Sequence, residues 1–325
     1  MSRIPNLYRV MAVLFACAMQ GAIAQNYPSK PIRLIAPASP GSGIDTLART
    51  VGRELGNRLS QAVVIENMPG AGGNIASANI AHSAPDGYSL LLQISSFVIN
   101  PSLYKKVPYD PIRDFQPITL AARGGQGMLV VNPSMDRVKT VKDLVAWSLA
   151  NPGKLNYASP GFGTPPHLQM EIFKRMSGAD FTHVPFKTQG ETVNAILGGD
   201  VATIFMAANV AIPQARNAKL KILASTGQQR WVDTPEVPTM AESGFPDFKS
   251  DVWYGFLAPA GLAREVLRRL NAEFAAVLND ATTKESIYRQ SLVATTSTPE
   301  EFAAVIRSDL AYWSKVIKDT GITID

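Results

Sequence analysis

Between residues 32 and 59 a short apolar run, Ile32-Arg33-Leu34-Ile35-Ala36, is cut off by Pro37, Pro40, Gly41 and Gly43. Ile44, Leu47, Val51, Leu55 and Leu59 then recur at helical spacing. A run this short, closed by turn formers, predicts a buried strand, and apolar positions three to four apart predict an amphipathic helix. A strand feeding a glycine-rich turn at the start of a helix leaves N–H groups without intrahelical acceptors. Such a turn holds an anion, phosphate or carboxylate.

The pieces that follow repeat the pattern. Ala62–Glu66 reads as a strand, Asn67–Asn74 as a glycine-rich loop, Ile75–His82 as a short helix and Tyr88–Gln93 as a third strand. This alternation predicts an α/β domain whose parallel sheet is buried on both faces. The loops Ser39–Asp45, Pro69–Asn74 and Ser95-Ser96 follow successive strands, and ligands of open α/β sheets sit outside those strand ends. A looser, proline-punctuated stretch leads to Gly124-Gly125-Gln126-Gly127, read as a crossing into a second domain. There Leu155–Ala158 is a strand, and Ser159-Pro160-Gly161-Phe162-Gly163-Thr164-Pro165-Pro166 opens a helix carrying His167, Leu168, Met170 and Phe173. Strands are expected at Thr182–Phe186, Val201–Met206 and Leu220–Ala224, with helices at Val141–Ala150 and Thr192–Leu197. Val252–Ala258 returns to the first domain, and helices Leu262–Leu278 and Pro299–Lys318 close the chain. The expected domains are residues 25–127 plus 248–325, and 128–247.

At the N-terminus, Arg3 and Arg9 precede an apolar run from Val10 to Met19, and Ala22-Ile23-Ala24 is a small-x-small site. That is the pattern of a signal peptide, residues 1–24, cleaved after Ala24, which places the mature chain in the periplasm. A lipoprotein signal at Cys17, the only cysteine, is the rival reading. Cleavage after Ala24 leaves no thiolate nucleophile, disulfide or cysteine metal site. The composition, 46% apolar and 18% charged, is that of a globular protein, and the net charge of +5 falls to about +3 without Arg3 and Arg9. The positive charge is scattered, so nucleic acid is not implied.

Enzyme chemistries lack their parts. Gly41-x-Gly43 with Glu66 at the end of the next strand is a partial dinucleotide fingerprint. Thr46 stands where its third glycine belongs, and Asp45 places a negative charge where pyrophosphate would lie. No Gly-x-Ser-x-Gly elbow is present, and no histidine pair or carboxylate cluster has metal-ligand spacing. His82 and His183 read as surface or core histidines, whereas His167 opens a helix beside a glycine-rich loop and could line a pocket. The expectation is therefore no catalytic residue, no metal and no cofactor. Two similar domains presenting helix N-termini to a shared cleft describe an exported solute receptor instead. Its grip would combine backbone N–H groups with the hydroxyls of Ser39, Ser42, Ser95, Ser96, Ser159 and Thr164.

Several landmarks resemble a known family. They include Tyr27-Pro-x-Lys-Pro-Ile-Arg33, Ser39-Pro-Gly41 with Asp45, Val64-Ile-Glu-Asn67 and Pro69-Gly-Ala-Gly-Gly-Asn74. Ala84-Pro-Asp-Gly-Tyr88, Asn100-Pro101, Tyr109-Asp-Pro111, Asn156-Tyr-Ala-Ser159 and Leu257-Ala-Pro-Ala-Gly261 follow in order. Together they resemble the substrate-binding proteins of tripartite tricarboxylate transporters, the Bug or TctC family, over essentially the whole mature chain. The resemblance implies an α/β, two-domain, periplasmic-binding-protein-like (type II) fold, each domain a mostly parallel sheet flanked by helices, with the ligand cleft between.

It further implies a monomeric receptor that closes on a small carboxylate and delivers it to large and small membrane subunits. In that scheme the turn of Ser39, Pro40, Gly41, Ser42, Gly43 and Asp45 grips a carboxylate, partly through ordered water. The loop of Ser159, Phe162, Gly163, Thr164 and His167 faces it, and Ser95 and Asn74 match positions near the cleft; Ser96 stays a candidate from its loop alone. A receptor feeding a membrane sensor, or a nucleotide-binding enzyme, are the alternatives. The chain departs from the family pattern at Ser42, at Met68 and at Ile204-Phe205-Met206-Ala207, which carries no acid. An acid there could pair with a substrate ammonium, so the expected ligand is a non-amino carboxylate with an apolar portion near Met206 and Phe162.

Overall fold

The computed structural model describes residues 27–321 except 125, 126, 162, 163, 187, 228, 249 and 251. The expected signal peptide, Cys17, Phe162 and Gly163 lie outside the described residues. Two sheets are formed. The first runs in the order β11 (Leu292–Ala294), β4 (Phe115–Gly124), β10 (Trp253–Pro259), β3 (Ser89–Ile94), β1 (Ile32–Ala36), β2 (Val63–Asn67). The second runs β7 (Phe181–Pro185), β6 (Leu155–Ser159), β8 (Thr203–Ala207), β5 (Gly127–Val131), β9 (Lys221–Ser225).

β1 sits between β2 and β3, parallel to both, with Leu34 opposite Ile65 on one side and Leu90 on the other. Ile32, Leu34 and Ala36 face the helices on one side of the sheet and Ile35 those on the other, which is why the strand reads as continuously apolar. Helix α1 (Gly43–Leu59) follows the first turn and buries Leu47, Val51, Leu55 and Leu59 against that sheet. The remaining helices are α2 (Asn74–Ala81), α3 (Ser96–Leu103), α4 (Val141–Ala150), α5 (Pro165–Ser177) and α6 (Gln189–Gly198). They are followed by α7 (Ala208–Arg216), α8 (Arg264–Asn279), α9 (Ala281–Tyr288) and α10 (Pro299–Thr320).

Both sheets are mixed. β1, β2 and β3 are parallel, as are β6, β7 and β8, but β10 runs antiparallel between β3 and β4, and β5 antiparallel between β8 and β9. The antiparallel strands are the ones entering and leaving the second lobe, because a chain that crosses between sheets and returns must reverse. The outgoing and returning chain meet where Gly124 N–H donates to Val252 O at 3.0 Å. Just inside the second lobe, Gly127 N–H donates to Thr226 Oγ1 at 2.9 Å and Thr226 N–H to Gly127 O at 2.8 Å, which extends the β5–β9 ladder toward the hinge.

The proline-punctuated stretch is more ordered than its sequence suggests. Pro101 lies inside α3, and β4 is a ten-residue strand that begins at Phe115. Short helices carry too few turns for a periodic signal, so packing and capping settle them; Asp280, for example, accepts from Thr283 N–H at 2.9 Å to start α9.

Helix α10 ties the lobes together. A capping box starts it, with Thr298 N–H donating to Glu301 Oε2 and Glu301 N–H to Thr298 Oγ1. Phe302, Ile306, Trp313 and Ile317 are buried in a core that runs without a break from Ile35 and Leu91 to Phe173, Phe181 and Phe205 of the second lobe. At its far end Asp319 Oδ2 lies 3.2 Å from an Arg175 nitrogen on α5.

Candidate functional site

β4 runs parallel to β3, because both are antiparallel to β10, so the first crossing leaves from the edge where β1, β2 and β3 end. β5 begins opposite Ala207, the last residue of β8, so the same crossing enters at the edge where β6, β7 and β8 end. The loops after all six parallel strands therefore lie on the two edges that flank the hinge, where open α/β sheets hold ligands, and together they form the candidate cleft.

The first jaw is the turn Pro37–Gly43. Ser39, Pro40, Gly41 and Gly43 are exposed, and Gly41 is in the left-handed region at φ 79°. Ser42 caps α1, its Oγ accepting from Asp45 N–H at 3.3 Å. The N–H groups of Gly43 and Ile44 precede the first intrahelical bond and carry the positive end of the helix dipole. Asp45 itself is turned inward and only 3% exposed. Its carboxylate accepts from Gly41 N–H at 2.8 Å, Asn67 Nδ2 at 2.9 Å and Arg49 Nε at 3.1 Å. Burial alone would raise its pKa, but the hydrogen bonds from Arg49, Gly41 and Asn67 outweigh it and hold the carboxyl below its ordinary range. Asp45 braces the turn and does not reach out of it.

The second loop is bolted from beneath. Gly70, Ala71, Gly72 and Gly73 all have positive φ, and Asn100 Nδ2 donates to Gly72 O at 3.0 Å while Gln93 Nε2 donates to Gly73 O at 3.2 Å. Asn74 is buried, its Oδ1 accepting from Asn100 Nδ2 at 2.7 Å and Tyr109 OH at 3.2 Å. Its carbonyl oxygen thus faces the scaffold. Ser95 is buried with its N–H donating to Trp253 O at 3.1 Å, and Ser96 Oγ donates to Gly72 O at 3.4 Å.

The opposing jaw follows β6. Ser159 is fully buried; its hydroxyl donates to Gly161 O at 2.9 Å, accepts from Gly161 N–H at 3.2 Å and shares a 2.7 Å hydrogen bond with His183 Nε2. Thr164 Oγ1 donates to Gly161 O at 2.7 Å and precedes Pro165 and Pro166 at the start of α5. Two prolines remove two of the N–H groups a helix N-terminus would offer, so this jaw is poorer in donors than the first. His167 is buried, 3% exposed, with its ring 4.4 Å from His183 and 6.4 Å from Tyr157. Burial lowers the pKa of both imidazoles, that of His183 to about 4. Tyr157 OH donates to Glu171 Oε1 at 2.6 Å, and Lys174 Nζ lies 3.1 Å from the same oxygen.

Three expectations about side chains change. Asp45 and Ser159 have their polar atoms committed to the loops that carry them. Met206 is 2% exposed and packs with Ala195, Ile196, Ala211 and Ile212, so it forms core and offers no wall to the cleft. Strand alternation explains this: Met206 and Ile204 share one face of the sheet, Phe205 lies on the other, and only Ala207 reaches the rim half-exposed. Arg49, Asn67, Gln93, Asn100, Tyr109 and His183 hold these loops from behind, a role that no strand, helix or turn pattern marks. Asn67, Asn100 and Tyr109 do lie in the family-like landmarks, a usable signal. Glu66, the candidate ribose acid of a dinucleotide site, accepts from Arg33 Nε at 2.6 Å. Among the described residues no group of three or more His, Cys, Asp or Glu side chains is gathered as for a metal ion.

Two α/β lobes joined by paired crossings, with polar turns on facing edges, define a solute-binding protein of the periplasmic-binding-protein-like class. Residues 47–322 match the sequence profile of the tripartite tricarboxylate transporter family receptors, and the chain belongs to that family. It is 32% identical to Protein BugT of Bordetella pertussis, over 97% of this chain and 98% of that one. Among solved structures it is similar to R. palustris Rpa4515 with adipate, at 29% identity and a TM-score of 0.79, covering 92% of this chain and 99% of that one. MatC (Rpa3494) from Rhodopseudomonas palustris with bound malate is 26% identical, with a TM-score of 0.73, over 90% of this chain and 100% of that one.

Proposed function

We propose that this chain is exported to the periplasm, where it binds a small carboxylate without an amino group and hands it to the membrane subunits of a tripartite tricarboxylate-type transporter. The observation that carries this reading is the Ser39–Gly43 turn. It is exposed, it bears the first-turn N–H groups of α1, and residues 36–44 contain no charged side chain. A carboxylate held there by backbone donors and water needs no buried cationic partner. The lobes, taken as residues 25–127 with 248–325 and as 128–247, close as a monomer by bending at the paired crossings. The neighbours holding adipate and malate support the ligand class, and the uncharged Ala207, the one residue of the β8 end that reaches the rim, supports a ligand without an ammonium.

Calorimetry with malate, adipate and aspartate tests this reading, with small-angle scattering at saturation. Saturable binding of malate or adipate, weak binding of aspartate and a smaller radius of gyration are expected. Tight binding of aspartate and none of the other two would overturn the non-amino assignment. Unchanged scattering would overturn closure.

A further inference from the structure

Resting on the carboxylate reading, we propose that Arg49 is the residue that lets the Ser39–Gly43 turn accept an anion, by cancelling the charge of Asp45 directly behind it. The Asp45 carboxylate touches the turn itself, with Oδ2 2.8 Å from Gly41 N. A bare negative charge at that distance repels any carboxylate held by the neighbouring backbone donors. Arg49 stands one helical turn further on, its Nε 3.0 Å from Oδ1 and 3.1 Å from Oδ2. Its terminal nitrogen donates to Asn67 Oδ1 at 3.1 Å, and Asn67 Nδ2 in turn donates to Asp45 Oδ1 at 2.9 Å and Ala38 O at 3.0 Å. The guanidinium is thus pinned at two points to the turn's own brace.

Hydrogen-bond bracing alone does not require a cation here. Gly41 N–H and Asn67 Nδ2 already supply a donor to each Asp45 oxygen. What neither supplies is positive charge. Arg33 and Arg53, the nearby cations on β1 and α1, are engaged by Glu66 and Glu54. Arg49 acts through Asp45 and is a positioning and charge-balancing residue. A lysine carries the charge but cannot bridge Asp45 and Asn67 together.

The test measures carboxylate binding by calorimetry and by backbone-amide shifts of Gly41, Gly43 and Ile44, with acetate, malate and adipate as probes and adipamide as the uncharged control. Arg49→Gln should weaken the best-bound carboxylate by roughly ten- to a hundredfold, as expected for exposing a charge at this range. Arg49→Lys should recover part of that loss. Adding Asp45→Asn to Arg49→Gln should restore most of it, an outcome a purely structural role would not give. Asp45→Asn alone turns an amide donor toward one of the donors that Asp45 accepts from, so it is read against adipamide: the carboxylate-to-adipamide affinity ratio should rise severalfold, which keeps the test decisive if Arg49→Gln does not fold. Wild-type affinity in Arg49→Gln, no recovery in the double variant, or no rise of the carboxylate-to-adipamide ratio in Asp45→Asn overturns the inference alone. A wild-type protein that answers to none of the three carboxylates overturns the carboxylate reading, and the inference with it.

Discussion

His183 Nε2 lies 2.7 Å from Ser159 Oγ, so a half-buried imidazole props the loop that opens the second jaw. The same ring stacks on Tyr157 at 4.7 Å and meets His167 at 4.4 Å. A charge placed on either imidazole would lie in a poorly solvated stack, against its neighbour.

That arrangement sets a pH dependence. Burial first, and then His167, push the His183 pKa from 6.5 to about 4, with Lys174 adding to the shift and Glu171 opposing it. The unfolded chain therefore takes up the proton before the folded one does. The stabilisation is complete above about pH 6.5 and is lost as pH falls toward about 4, by no more than about 3 kcal/mol. Denaturant unfolding between pH 4.5 and 7.5 should show this slope in the wild type and a flatter one in His183→Asn. Equal slopes would contradict the assignment.

Gly73 shows what the second loop tolerates. At φ 93°, a Cβ there would lie 2.8 Å from Gln93 Nε2 and 3.3 Å from Pro37 Cβ. Gln93 cannot swing away cheaply, because it is buried and donates to Ser77 Oγ at 2.8 Å. Gly73→Ala should cost about 2–4 kcal/mol, strain and displacement together. Gly153→Ala, at φ 70° with nothing within 4 Å, should cost about 1 kcal/mol. Thermal unfolding of both variants separates the terms, and equal losses would show that space is not limiting at Gly73.

Gly255 on β10 lies under the ring of Phe302, which a Cβ would overlap. Both belong to the region where α10 crosses toward the second lobe, and Phe302 also packs edge-on against Trp253 at 5.1 Å. Gly255→Ala should destabilise by about 3 kcal/mol or more, and Phe302→Leu in the same chain should recover part of it by making room. Additive losses in the double variant would contradict the steric explanation.

Met206 tests where specificity does not reside. Met206→Ala should cost about 2–4 kcal/mol of stability, as a core truncation does, and leave the ranking of carboxylate ligands unchanged. Competition calorimetry checks the ranking; a changed order would return Met206 to the cleft wall.

The first jaw was legible in the sequence because its signals are local. Pro37, Pro40, Gly41 and Gly43 break the strand, Ser42 caps the helix, and the Leu47–Leu59 stripe faces the core. The same holds for α10, whose Thr298-Pro-Glu-Glu301 start and apolar stripe announce a helix. What stayed hidden is non-local. Arg49 meets Asn67, Gln93 meets Gly73 and Ser159 meets His183 across 18 to 24 residues, and no periodicity records such pairings. Strand direction was hidden for a related reason, since β10 and β5 read as apolar runs whether they lie parallel or antiparallel. Met206 was misplaced because a wholly apolar strand end does not say which of its alternating residues faces out.

The most direct measurement is mass spectrometry of whatever small molecule is released on denaturing protein purified gently from the periplasm of cells grown on mixed organic acids. A carboxylate receptor should release one carboxylic acid per chain, lacking an amino group, and that same acid should rebind saturably to the stripped protein. Release of a nucleotide or an amino acid in that proportion, with no rebinding of any carboxylic acid offered, would contradict it.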